Sequence, residues 1–456
     1  MNSYDVRFWD TRKIGDTARG RYRVRWAVDG REHCKSLPTK ALADAFLVTL
    51  KDAARDGKPF DPATGLPAKP RPAGQPDVTW YEHARAYTQM KWPDLAPKSR
   101  RSAAEALTTI TVVLTDRRRT APDPAALRRA LFGYAFNAAS TSRPVPAEIT
   151  RALDWIAKAS LPVAELENPD TIRAVLSACA RNLDGRPAAA TTTRRKRAVL
   201  ANALGYAVER RLLPANPLDQ IKWKASDVAE TVDRRSVASP AQARRLLEAV
   251  RAQGPRGERM EAFFGCLYYA ALRPSEAVAL READCILPAC GWGRIDLAAS
   301  QPHAGTEWTD NGASREERGL KHRPPGETRS IPIPPALVAI LRAHITRYGT
   351  TVDGRLFRTK RGGPLNDTGY GEVWQRARPA ALTPAQQASA LARRPYDLRH
   401  AAVSLWLNAG VPATEVARRA GHGIAVLLRV YANCIDGQAG AANQRINDAL
   451  DEDDSE

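Results

Sequence analysis

The chain has no apolar run of about 18 residues, the length a membrane-spanning helix requires. Its first residues, MNSYDVRFWD, lack the apolar stretch of a signal peptide. A cytoplasmic protein is expected. Cysteine is sparse: Cys34, Cys179, Cys266, Cys285, Cys290 and Cys434 form no C-x-x-C pair and no Cys/His spacing. That scatter argues against a disulfide framework or a zinc site, and fits free thiols in a reducing compartment. No Gly-rich Walker loop points to ATP, and no carboxylate cluster points to Mg²⁺. No cofactor and no metal are expected. Acid is in deficit, with 69 Lys and Arg against 50 Asp and Glu, a net charge of +19. Such a balance suits a polyanionic partner, because neutralising phosphates releases condensed counterions. GC-rich codon usage explains much of the arginine, but not where it sits.

At 456 residues the chain divides into about three domains. The first block, 1–54, contains RYRVRWAVDG, with Arg21, Arg23 and Arg25 alternating with Tyr22, Val24 and Trp26. Period two predicts a half-buried strand, and Asp29-Gly30 predicts a hairpin turn. Strands around VRFW and HCKSL complete a three-stranded sheet, followed by a helix capped by Thr39 with a stripe of Leu42, Phe46 and Leu50. The arginine face is either solvated edge protection or a surface presented to a DNA groove.

Residues 55–77 are rich in Pro and Gly and read as a linker. The block 78–222 reads as all-helical, with two basic helix starts. In PKSRRSAAEAL, Ser99 is placed to cap, with Lys98, Arg100 and Arg101 around it. In TTTRRKRAVL, a threonine caps and Arg194, Arg195, Lys196 and Arg197 fill the first turn. Cations there oppose the helix dipole and call for a nearby anion, of which DNA phosphate is the natural candidate; a solvent-screened basic turn is the alternative. Residues 223–238 form a second linker, a capping box with proline at Ser239–Gln242 opens the last block, 239–436, and an acidic tail ending DEDDSE is expected to be unstructured.

Four pieces of the last block put ionisable residues in awkward places. In ALRPSE, Pro274 opens a helix, leaving Arg273 at its cap and Glu276 within reach of the guanidinium. In LKHRPPGETRSIPIP, Pro-Pro-Gly turns the chain between short strands and places Lys321 on a hairpin, where a lysine is ordinarily just solvated. In YDLRH, Tyr396, Arg399 and His400 share one helix face beside a stripe of Leu398, Ala402, Leu405 and Ala409. In GVPATEVARRAGHGIAVLLRVYANC, a helix ends at Gly421, His422 sits where a protonated imidazole is favoured, and Tyr431 lies near the end of the next helix. Helix, glycine and second helix also fit a plain helix-turn-helix DNA binder. Together the pieces supply two arginines to grip phosphate oxygens, a tyrosine to attack phosphorus and a lysine to protonate a leaving alkoxide.

At these residues the last block resembles the catalytic domain of the tyrosine recombinases, or phage-type integrases. ALRPSE, LKHRPPGETRSIPIP, YDLRH, AGH and RVYAN agree with that family in order and spacing over about 200 residues. The two preceding blocks resemble the arm-type and core-binding DNA domains of integrases from actinobacterial phages and integrative elements. The resemblance implies a multidomain α+β fold: a small sheet with one helix, an all-helical core-binding domain, and a mainly α catalytic domain with β-hairpins. It implies Arg273 and Arg399 as the phosphate clamp, Lys321 as general acid, His422 as a hydrogen-bond donor to phosphate and Tyr431 as the nucleophile of a 3′-phosphotyrosyl bond. It also implies double-stranded attachment sites and a homotetramer on DNA, with an excision factor and a DNA-bending host protein as partners. Tyr396, expected in the catalytic set, departs from the family, which more often has histidine there; a tyrosine can hydrogen-bond phosphate or Tyr431 but is a poor base near neutrality. Two other readings share these residues: a non-catalytic DNA-binding protein, and a type IB topoisomerase. The polar insertion 298–319 carries no signal that assigns it a role.

Overall fold

The computed structural model describes residues 3–14, 21–62, 64–67, 78–116, 118–223, 231–321, 324, 326–434, 440, 443–444, 446–448 and 450. The acidic tail DEDDSE lies outside them. The contacts divide the chain into two units, 1–77 and 78–456.

In the first unit the alternation of RYRVRWAV becomes β3 (Arg21–Val28), exposed at Arg21, Arg23 and Arg25 and buried at Val24 and Trp26. It pairs antiparallel with β4 (Arg31–Leu37) through the Asp29-Gly30 turn. The sheet has four strands rather than three, because the segment before β3 is broken into β1 (Val6–Phe8) and β2 (Arg12–Ile14), both paired along β3. Helix α1 (Lys40–Arg55) is capped by Thr39. Its buried stripe is Ala43, Leu47, Leu50 and Ala53; Leu42 is exposed, so the expected stripe is rotated by about one position. Residues following α1, expected as linker, return to this unit: Phe60 is fully buried, and its amide and carbonyl bond Ser3.

The second unit begins with helices α2 (Trp80–Lys91), α3 (Pro97–Val113), α4 (Pro124–Ala130), α5 (Ala147–Ala159), α6 (Pro169–Cys179) and α7 (Ala190–Glu209). Neither basic helix has the expected cap. Ala96 and Ala189 occupy the N-cap positions, so Ser99 lies inside the first turn of α3 and Arg194–Arg197 start in the second turn of α7.

The rest of this unit opens with α8 (Pro240–Arg251), whose Ser239–Gln242 capping box forms as expected, followed by α9 (Pro255–Tyr269) and α10 (Pro274–Ala279). Strands β5 (Cys285–Ile286), β6 (Gly293–Leu297) and β9 (Arg329–Ile333) form one antiparallel sheet, and β7 (Ala299–Ser300) pairs with β8 (Arg318–Gly319). The two strands flanking Lys321 therefore do not pair with each other: β8 joins β7 and β9 joins β6. Helices α11 (Pro335–Tyr348), α12 (Asp367–Ala381), α13 (Pro384–Ala388), α14 (Asp397–Asn408), α15 (Ala413–Ala420) and α16 (Ile424–Tyr431) complete it. The buried side of α14 is Leu398, Ala401, Ala402, Val403 and Leu407; Leu405 and Ala409 are exposed.

The insertion joins the two halves of this unit. Trp308 is 2% exposed, packed against Trp92 and Phe132 of the helical half at ring separations of 6.2 and 5.0 Å. Asp310 accepts from both terminal nitrogens of Arg100 (2.8 and 2.9 Å) and from the Trp92 indole N–H (3.1 Å). At its base, Arg315 donates to the Leu365 carbonyl (2.7 Å) and to Asp367 (2.9 Å). A buried indole truncated to alanine costs about 3–5 kcal/mol. Trp308→Ala is therefore expected to lower the stability of the whole unit by that order, read as a fall in the denaturant midpoint. Because the lost contacts lie between the halves, the single transition should broaden or split.

Candidate active site

Arg273 precedes Pro274, whose fixed φ suits the first turn of a helix and leaves Arg273 extended as the N-cap of α10. Its backbone amide donates to Glu276 (2.8 Å), its Nη1 to the same carboxylate (2.7 Å) and its Nη2 to the Gly421 carbonyl (2.8 Å). Glu276 also receives both terminal nitrogens of Arg329 at 3.0 and 2.7 Å. Burial would raise the Glu276 carboxyl, but the guanidiniums of Arg329 and Arg273 outweigh it and hold it at about 2. Arg329 was not anticipated, although the signal was present: in the strand RSIPI it shares parity with the fully buried Ile331 and Ile333.

Arg399 is fully buried. It donates to the carbonyls of Ala271 and Ala420 and to Nε2 of His422 (2.8 Å). Ala271 lies in the left-handed region at φ 50°, a conformation that costs energy for alanine; here it turns a carbonyl onto the guanidinium. Arginine can only donate, so Nε2 of His422 is the acceptor and the ring proton sits on Nδ1, which is buried with no partner among the described residues. Burial, then the charges of Arg399, Arg273 and Arg329, push the His422 imidazole down to about 3. The imidazolium expected from the helix terminus is thus replaced by a neutral ring, because burial, joined by three cations, outweighs one helix dipole. Gly421 has no substitute here: it sits at φ 65°, and a Cβ would meet Arg329 Nη1 at 2.3 Å.

Tyr431 is fully buried at the end of α16. Burial pushes its hydroxyl well above the ordinary phenol value, while Arg399 pulls the other way. Its only side-chain hydrogen-bond partner among the described residues is His400, with Nδ1 at 2.9 Å from the hydroxyl. Tyr396 leans edge-on against the His400 ring (5.1 Å between centroids) and lies close enough to the Arg273 guanidinium to interact with it electrostatically. The face shared by Tyr396, Arg399 and His400 therefore divides: the first two residues meet arginine-lined space and the third meets Tyr431.

Lys321 is exposed and lines a broad open groove that also takes in Arg273, Arg318, Lys98, Arg101 and Arg195. The structure removes two residues from the expected DNA-facing set. Arg100 is 3% exposed, held by Asp310 and the Trp92 and Trp308 carbonyls, and stacked over Trp92. Lys196 is 5% exposed and donates to Thr109 of α3 at 3.2 Å. Both cations stabilise packing between elements. Arg194 and Arg197 are not among the residues that line the groove. In the first unit, Arg25 pairs with Glu32 and stacks on Trp9, and Arg23 lies directly opposite Arg12.

Three guanidiniums (Arg273, Arg329, Arg399) against one carboxylate (Glu276) leave this buried cluster positively charged. A site of that kind lowers its energy by taking in an anion, and guanidiniums suit phosphate oxygens. Among the described residues, no group of three or more His, Cys, Asp or Glu could hold a metal ion.

No protein-family profile matches the sequence, and no curated protein is similar to it. Solved structures are similar in fold. The Tn1549 transposon integrase, in complex with transposon right-end DNA, superposes with a TM-score of 0.51 at 14% identity, over 82% of this chain and 99% of that one. The XerH site-specific recombinase bound to its difH substrate gives 0.47 at 11% identity, over 84% of this chain and 98% of that one. A lambda integrase tetramer on a Holliday junction gives 0.44 at 11%, over 88% and 89%. By the first of these likenesses, the chain shares the fold of the Tn1549 transposon integrase.

Proposed function

We propose that this protein is a site-specific DNA recombinase, an integrase that cuts and rejoins DNA through a 3′-phosphotyrosyl intermediate to insert or excise a mobile element. The observation that carries the reading is the buried Tyr431 hydroxyl beside a cluster of three guanidiniums with a single carboxylate. In this reading Arg273 and Arg399 hold the scissile phosphate, and the Tyr431 oxygen attacks phosphorus. Lys321, lining the groove, protonates the departing 5′ oxygen, and the His422 Nδ1–H donates to a phosphate oxygen. A phosphodiester is exchanged for a phosphotyrosine of similar energy, so the chemistry requires neither ATP nor metal. Two duplexes present four strands and each strand needs one tyrosine, which calls for four copies of the chain on paired attachment sites. Lys98, Arg101, Arg195 and Arg318 then track the backbone of the crossover site, while the sheet face of Arg21 and Arg23 is available to a second DNA segment. An excision factor and a DNA-bending host protein belong to the same reading.

The test is a nicked double-stranded substrate carrying the element's own crossover site. A denaturant-resistant adduct whose phosphate maps to the Tyr431 peptide is expected. Tight, site-specific binding with no adduct would instead favour a DNA-binding protein without strand-transfer activity. An adduct that relaxes supercoils but exchanges no strands between two sites would favour a topoisomerase.

A further inference from the structure

Tyrosine at 396 leaves the proton of the nucleophile without an obvious destination. We propose that His400 is the general base for Tyr431: its Nδ1 takes the hydroxyl proton as the tyrosine oxygen attacks. This deepens the recombinase reading and rests on it.

The geometry supports the assignment in two ways. His400 Nδ1 lies 2.9 Å from the Tyr431 hydroxyl, within the reach a base requires. His400 also lines an open cleft with Asp233, Ser236, Arg393, Arg394 and Asp397, so a proton accepted on Nδ1 can be matched by release of one to solvent. In balance, the Tyr431 O–P bond forms as the P–O5′ bond breaks, the phenolic proton passes to His400, and the 5′ oxygen takes its proton from Lys321.

Charges around His400 tie its basicity to the substrate. Burial, then Arg399 and Arg394, push the imidazole down to about 4, so near neutrality the ring is neutral and, with its proton on Nε2, Nδ1 accepts. Asp397 precedes Arg399 on the same helix, Arg393 and Asp233 lie across the cleft, and His422 faces the other side of the Tyr431 ring. A phosphate held by Arg399 offsets the charge that most depresses the imidazole after burial itself. Its basicity therefore rises when the scissile phosphate is in place, and the unbound site does not ionise its tyrosine prematurely.

The experiment compares wild type, His400→Gln, His400→Ala and Tyr396→Phe on the nicked substrate, with melting temperature and DNA affinity measured alongside. Glutamine accepts a hydrogen bond but takes up no proton. His400→Gln should bind DNA as wild type does and cleave about 10²–10⁴-fold more slowly. Wild type should reach a rate plateau near neutrality, whereas His400→Gln should keep rising by about tenfold per pH unit as hydroxide replaces the base. Added imidazole should restore part of the His400→Ala rate, which a merely structural role would not allow. A His400→Gln protein that cleaves at the wild-type rate with the wild-type pH profile overturns the inference. So does a loss confined to Tyr396→Phe. If wild type itself forms no adduct on a verified site, the recombinase reading falls first; if wild type cleaves, only the assignment of the base is at stake.

Discussion

Tyr431→Phe is expected to bind the crossover site with unchanged affinity and to form no covalent adduct, a loss on the order of 10⁴-fold or more in cleavage, as for other enzymes deprived of their nucleophile. The ring stays and only the oxygen goes, so the packing of α16 against Leu407 and Val416 is retained. The one lost hydrogen bond, to His400, costs about 1 kcal/mol, too little to unfold the domain. Arg273, Arg329 and Arg399 are untouched, so phosphate binding survives. Wild-type affinity together with zero adduct is therefore a sharp expectation, read by filter binding and by a denaturing gel. An adduct that persists would assign the nucleophile elsewhere, and Tyr396, beside the Arg273 guanidinium, would be the next residue to change.

The contrast between what was legible in the sequence and what was not follows distance along the chain. The Ser239–Gln242 box, the Gly421 terminator and the alternation of β3 are local, and each formed as local chemistry dictates. Arg273 beside Glu276 was legible for the same reason, being three residues from its partner. Arg100 was misread because the carboxylate that buries it lies 210 residues away, in an insertion with no helical or strand period of its own. Lys196 was misread in the same way, its partners being on α3. The helix starts moved because alanine, which carries no capping signal, occupies both N-cap positions. His400 is the instructive case. Its spacing placed it correctly on the face of Arg399, but its 31-residue separation from Tyr431 hid the contact that distinguishes it from Tyr396.

Removing the carboxylate at the centre of the site should cost more stability than removing any other single group there. Glu276 is 1% exposed and serves two guanidiniums, one of them also 1% exposed. Glu276→Ala leaves Arg329 buried without a countercharge and releases Arg273, a change expected to destabilise the unit by about 3–5 kcal/mol. The sign of the pH dependence follows from the carboxyl's position. Its folded value, about 2, lies below the ordinary 4.5, so its stabilisation is complete above about 4.5 and is lost as pH falls towards 2. The gap in denaturant midpoint between wild type and Glu276→Gln should therefore be wide at pH 7 and close progressively through that window. A second consequence separates electrostatics from packing. With Glu276 gone, all three arginines lack a carboxylate, so sulfate or phosphate should stabilise the variant more than it stabilises wild type. A pH-independent gap, with no differential response to sulfate, would mean that the cluster is held by shape alone. It would also remove the physical basis for expecting a phosphate between Arg273 and Arg399.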